Sequence, residues 1–139
     1  QEVCPWNRFA PPAREARLHA RAYEDWSLER FLAIDEATFR ALFADSPIRR
    51  ADREGLVRNC CIALGNRAAR GAVEALRRVL AEDPDATARG SAAWALGEIA
   101  HAHRDVAAAI GEALREAGAG DPDTDVRAEC AAAQERAGA

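Results

Sequence analysis

Two turns in this chain repeat each other, Asp83-Pro84-Asp85 and Asp121-Pro122-Asp123, with a spacing of 38 residues. Each is followed, four residues after its second aspartate, by an arginine, Arg89 and Arg127. In both, proline ends one helix, and an aspartate or threonine caps the next. A second echo sets Ala63-Leu64-Gly65 against Ala95-Leu96-Gly97, each near the end of a helical stretch. A period of 32 to 38 residues with two helices per unit defines an α-solenoid, in which each unit buries its apolar face against its neighbours.

The apolar spacing agrees. Ala72, Leu76, Val79 and Leu80 share one stripe over 69–82, and Ala88, Ala92, Ala95, Leu96 and Ile99 share another over 86–100. Val106, Ile110 and Leu114 continue it over 104–117, and Val126, Cys130 and Ala133 over 124–137. Upstream, 36–44 and 53–65 are predicted as a first pair, with Phe39, Leu42 and Phe43 facing Leu56, Val57, Cys60 and Leu64. Trp26, Leu28, Phe31, Leu32 and Ile34 make a short apolar helix that leads to a cap at Asp35. Alanine supplies about a quarter of the 139 residues, which favours helix and lets helices approach closely. The expected fold is all-α, about three helix pairs over residues 26–139, preceded by an irregular connector over 1–25. Asp, Val-Arg and Ala-Leu-Gly in this order resemble HEAT repeats. The match is good in the second repeat and weaker in the third, where Gln134-Glu135 replaces Leu-Gly.

Several function classes find no support in the residues. His101 and His103 lie two apart and do not share a helix face, so they make no zinc pair. No phosphate-binding glycine loop, dinucleotide fingerprint or nucleophile with an adjacent base is present. No apolar run reaches the length of a membrane span, and no secretory pattern opens the sequence, so a cytoplasmic location is expected; the expected oligomeric state is a monomer. Cys60 and Cys61 lie within an apolar helical pattern and read as buried thiols. The net charge of −4 hides an asymmetry: residues 40–70 carry seven arginines against three acids, and residues 71–139 carry seven against thirteen. Taken alone, such variation is ordinary for a protein surface.

Two segments carry more information. One is Val3-Cys4-Pro5-Trp6-Asn7-Arg8-Phe9, in which Cys-Pro matches the end of a bacterial ferredoxin-type cluster motif. The other runs from Ser46-Pro47-Ile48-Arg49-Arg50 through Arg53 and Arg58-Asn59 to Ile62-Ala63-Leu64-Gly65-Asn66. With Trp94-Ala95-Leu96-Gly97, they resemble the C-terminal part of epoxyqueuosine reductase, a family that completes queuosine at the tRNA wobble position. The resemblance implies two [4Fe-4S] clusters and cobalamin in the full-length enzyme, with the catalytic domain upstream of Gln1 and none of these cofactors held by the 139 residues alone. It implies one cluster ligand here, Cys4. It also implies that the repeat domain positions tRNA through its anticodon stem-loop. Arg49, Arg50 and Arg53, at a loop and helix start, are the expected phosphate contacts. Arg58 and Asn59 stand equally as phosphate contacts or as bridges between neighbouring helices. Gly65 and Asn66 read as a helix C-cap, and Trp94 as an inter-helix core residue with base stacking as the other role. The rival reading is a stand-alone HEAT-repeat scaffold whose acidic half meets a protein partner.

Overall fold

The computed structural model describes Tyr23 and residues 25–138. Seven α-helices and two 3-10 turns follow one another among the described residues, with no strand. The helices are α1 (Leu28–Leu32), α2 (Glu36–Leu42), α3 (Asp52–Asn66), α4 (Val73–Glu82), α5 (Ala86–Ala102), α6 (Arg104–Gly120) and α7 (Thr124–Gly138). The 3-10 turns, Pro47–Ala51 and Arg70–Ala72, lead into α3 and α4. The connector expected over 1–25, like Cys4, lies almost wholly outside the described residues.

Short polar side chains start four of the seven helices. Ser27 caps α1 by accepting from the Arg30 amide, and Asp35 caps α2 by accepting from Thr38 N–H at 2.7 Å. Asp85 accepts from Ala88 N–H at 3.0 Å to cap α5, and Asp123 accepts from Asp125 and Val126 at the start of α7. Each satisfies an amide that the first helical turn leaves without a partner.

Two layers result. α3, α5 and α7 lie side by side, and α4 and α6 pack behind them, α4 against α5 and α6 against both α5 and α7. The first pair differs from expectation. α1, rather than α2, makes the close backbone approach to α3 and to α4. Phe39 and Phe43 from the α2 region instead join Tyr23, Trp26 and Phe31 in an aromatic cluster, with ring centroids 5.1 to 6.4 Å apart. Rings of this size fill the space beside α3 without a long helix lying along it.

Glycines set the spacing within the α3–α5–α7 layer. A Cβ on Gly65 would lie 2.6 Å from the Trp94 ring and 3.0 Å from Ala95 Cα, and one on Gly97 would lie 2.9 Å from Ala133 Cβ. The two Ala-Leu-Gly echoes are therefore the crossing points of successive helices, where a side chain would hold the backbones apart. This corrects the C-cap reading of Gly65. α3 continues to Asn66 and closes in a Schellman turn, with Ala68 N–H on the Gly65 carbonyl at 2.8 Å and Ala69 N–H on Leu64 at 3.0 Å. Ala68 takes the left-handed position at φ 44°.

Candidate nucleic-acid interface

The basic segment folds as a 3-10 turn feeding α3. Ser46 caps the turn by accepting from Ile48 N–H, Pro47 opens it, and Arg49 and Arg50 form its last part, both exposed. On α3, the buried stripe is Arg53, Val57, Cys60, Cys61, Leu64 and Gly65. Arg58 and Asn59 fall outside it and face solvent. Neither bridges to a neighbouring helix among the described residues, and no described carboxylate pairs with Arg49, Arg50 or Arg58. The turn and the outer face of α3 thus carry three exposed guanidinium groups and one exposed amide.

Arg53 departs from the expected surface. It is 8% exposed, and its Nη2 donates to both carboxylate oxygens of Asp83 at 2.6 and 2.7 Å. The same device recurs one repeat later: Arg89 Nε and Nη2 donate to Asp121 at 2.7 and 3.0 Å. Arg53 belongs to this internal ladder, because the first aspartate of each Asp-Pro-Asp turn is held by the arginine of the preceding repeat. Spacing alone showed the turns and their arginines, but pairing across 30 and 32 residues became visible only in the fold.

Beyond Arg58 and Asn59, α3 carries Ile62 and Asn66 toward a groove of about 660 Å³ shared with α5 and α7. Its floor is Thr87, Gly90, Ser91 and half-buried Trp94, and its far wall is Val126 with Asp125 and Glu129. Trp94 has the expected inter-helix contact, one edge packing against Gly65, and its ring also lines an open groove.

His101 and His103 make structural contacts. The His103 Nε2–H donates to the Ala68 carbonyl at 2.9 Å, tying α6 to the turn after α3, and the His101 Nδ1–H reaches the Arg136 carbonyl at 3.2 Å. Burial pushes the thiols of Cys60 and Cys130 up to about 11 and that of Cys61 to about 12. These three cysteines are buried and free, and among the described residues no group of His, Cys, Asp and Glu is arranged to hold a metal ion. Nor is any described helix long and apolar enough to cross a membrane.

Comparison with known proteins accords with this architecture. The family model for HEAT repeats matches residues 48–135. The chain belongs to the HEAT-repeat family. Among curated proteins it is similar to the epoxyqueuosine reductases of Alicycliphilus denitrificans, 43% identical over 106 residues, and Xanthomonas campestris, 36% identical over 99 residues. Each alignment covers 70% of this chain but 29% and 28% of the relatives, so the chain spans less than a third of their length. Among solved structures, all of the chain overlays 36% of an epoxyqueuosine reductase crystallised with an epoxyqueuosine-modified tRNA-Tyr stem loop, at TM-score 0.85 and 25% identity. The epoxyqueuosine reductase of Bacillus subtilis matches 98% of the chain at TM-score 0.74 and 26% identity. The expected resemblance, to a repeat-bearing part of this enzyme, is borne out.

Proposed function

We propose that this domain is the tRNA-positioning repeat domain of an epoxyqueuosine reductase, holding the anticodon stem-loop while a catalytic domain elsewhere in the protein acts on the wobble base. The observation that carries this reading is the overlay of the whole chain on a reductase solved with a tRNA stem loop. The local chemistry supports it. Arg49, Arg50 and Arg58 are exposed, and arginine forks suit phosphate oxygens. Asn59 beside them adds a neutral donor to the same face. Arg53 is left out of the contact set, since Asp83 occupies it.

In the proposed whole enzyme, the iron–sulfur and cobalamin chemistry belongs to the catalytic part elsewhere in the protein. Cys4 remains the one proposed ligand, completing a cluster whose other ligands lie elsewhere in the protein. No catalytic step is assigned to this domain.

The test is binding of a fluorescent anticodon stem-loop RNA to the full chain over a series of salt concentrations. Arg49→Ala, Arg50→Ala and Arg58→Ala should each reduce the log–log salt slope by about one unit, the release of one condensed counterion. Exposed Arg115 on α6, in the acidic half, is the control. Equal losses at Arg115, or no change at the three test sites, would remove this surface and favour the protein-scaffold reading.

A further inference from the structure

We infer that the groove between α3, α5 and α7 is a nucleobase pocket, taking one unstacked loop base that carries an exocyclic amino group. This inference rests on the reading that the domain binds a tRNA loop, and it adds a site that reads a base rather than the backbone.

The groove continues the arginine-bearing face. Asn59, Ile62 and Asn66 are spaced i, i+3 and i+7 and form one stripe on the outer side of α3. The distance from Asn59 to Asn66 along the helix is about 10 Å at 1.5 Å per residue. The groove thus opens on the same helix, within about two turns of Arg58 and Asn59. At about 660 Å³ the space has the size of small-ligand sites.

Its lining suits a base and disfavours a phosphate. The half-buried Trp94 ring lines the groove together with Ile62 and the buried Val126, an aromatic and apolar surface. Unstacked bases in single-stranded RNA are commonly received on such aromatic faces. Gly90 keeps the floor low: a Cβ there would meet nothing within 4 Å, so no packing demand explains the missing side chain. The far wall carries Asp125 and Glu129, which repel a phosphate but accept hydrogen bonds from an amino group such as that of cytosine. Arg136 binds one Glu129 oxygen at 2.5 Å, and Asp125 is exposed at the groove edge. Asn66, exposed on the opposite wall, supplies both a donor and an acceptor for the base edge.

The test uses the full chain and the same labelled stem-loop RNA, with versions in which each loop nucleotide in turn is abasic. Gly90→Leu is the main variant. It fills the groove from its floor without touching the packed side of α5, and leucine favours helix over glycine, so thermal stability should hold or rise. RNA affinity should fall about tenfold, the order of one lost base stack, with the salt slope unchanged because no phosphate contact is removed. Trp94→Leu should fall similarly. At one loop position the abasic RNA should bind wild type as weakly as it binds Gly90→Leu, the two losses failing to add. Wild-type affinity in a folded Gly90→Leu protein, or full additivity at every loop position, would overturn the pocket. A changed salt slope in that variant would assign the groove to the RNA backbone instead. If Arg49→Ala, Arg50→Ala and Arg58→Ala weaken binding while Gly90→Leu does not, the pocket fails and the tRNA reading survives; if the RNA does not bind, both fail.

Discussion

Arg89 holds Asp121 through two parallel hydrogen bonds, Nε to Oδ2 at 2.7 Å and Nη2 to Oδ1 at 3.0 Å, while its Nη1 donates back to the carbonyls of Asp83 and Pro84 at 2.9 and 3.1 Å. One guanidinium therefore ties its own turn to the turn of the next repeat. Arg127 repeats the backward half, with Nη1 on Asp121 and Pro122 carbonyls at 2.7 and 3.1 Å. The Arg89 and Asp121 side chains are 11% and 5% exposed, so removing either partner strands the other in a dry setting. Arg89→Ala or Asp121→Ala should each cost about 3 kcal/mol, measured by urea unfolding. The double variant should cost less than the sum of the two.

The same pair sets an acid limit. Asp121 titrates below the ordinary carboxylate value of 3.8, first because Arg89 hydrogen-bonds its charged form and also because the Asp123 amide does. A carboxyl depressed in the folded state adds stability that is full above its unfolded value and is lost as pH falls through the folded one. Between pH 5 and pH 2 the wild type should therefore lose stability more steeply than Asp121→Asn. Parallel acid-unfolding curves would contradict the assignment.

Glycines on one helix should respond with opposite signs. Gly97→Ala drives a Cβ to 2.9 Å from Ala133 Cβ and 3.0 Å from Ala133 Cα, part of it backbone that gives little. A loss of about 1 to 3 kcal/mol is expected from overpacking. Gly90→Ala, seven residues earlier on α5 and facing open space, should gain about 1 kcal/mol from helix propensity. Thermal melts of the two variants check the contrast directly.

Ala68 holds φ 44° at the Schellman position after α3, where glycine carries no Cβ penalty. Ala68→Gly should raise stability by about 1 kcal/mol, read from the urea midpoint. A loss would show that other contacts of the Ala68 methyl outweigh the backbone term.

Cys60, Cys61 and Cys130, with thiols raised by burial, should resist maleimide at pH 8 in the native protein and react in urea. Peptide mapping by mass spectrometry distinguishes them from Cys4. Native labelling of any of the three would contradict their placement in the core.

Much of this architecture was legible in the sequence because solenoid repeats write themselves twice. The 38-residue spacing of the Asp-Pro-Asp turns and the 3.6-residue stripes placed α3 through α7 to within a few residues. The first pair was not legible. α1 and α2 are five and seven residues long, too short for periodicity to say which lies beside α3, and aromatic packing decides it. The burial of Arg53 is not legible, because a basic residue at a helix start looks the same whether it faces solvent or a carboxylate 30 residues away. Its matching position before the first Asp-Pro-Asp turn was the available signal. The position of Gly65 near a helix end suggests a cap, because the close approach of Ala95 leaves no mark in a single sequence.

The central claim is that the anticodon stem-loop lies along the turn before α3 and the outer face of α3. Hydrogen–deuterium exchange of the full chain, with and without the stem-loop RNA, tests it most directly. Protection should appear in peptides covering 47–59 and extend along α5 near Trp94, leaving the exposed side of α6 around Glu112 and Arg115 unchanged. Protection centred on α6, or an exchange pattern indifferent to the RNA, would contradict the account.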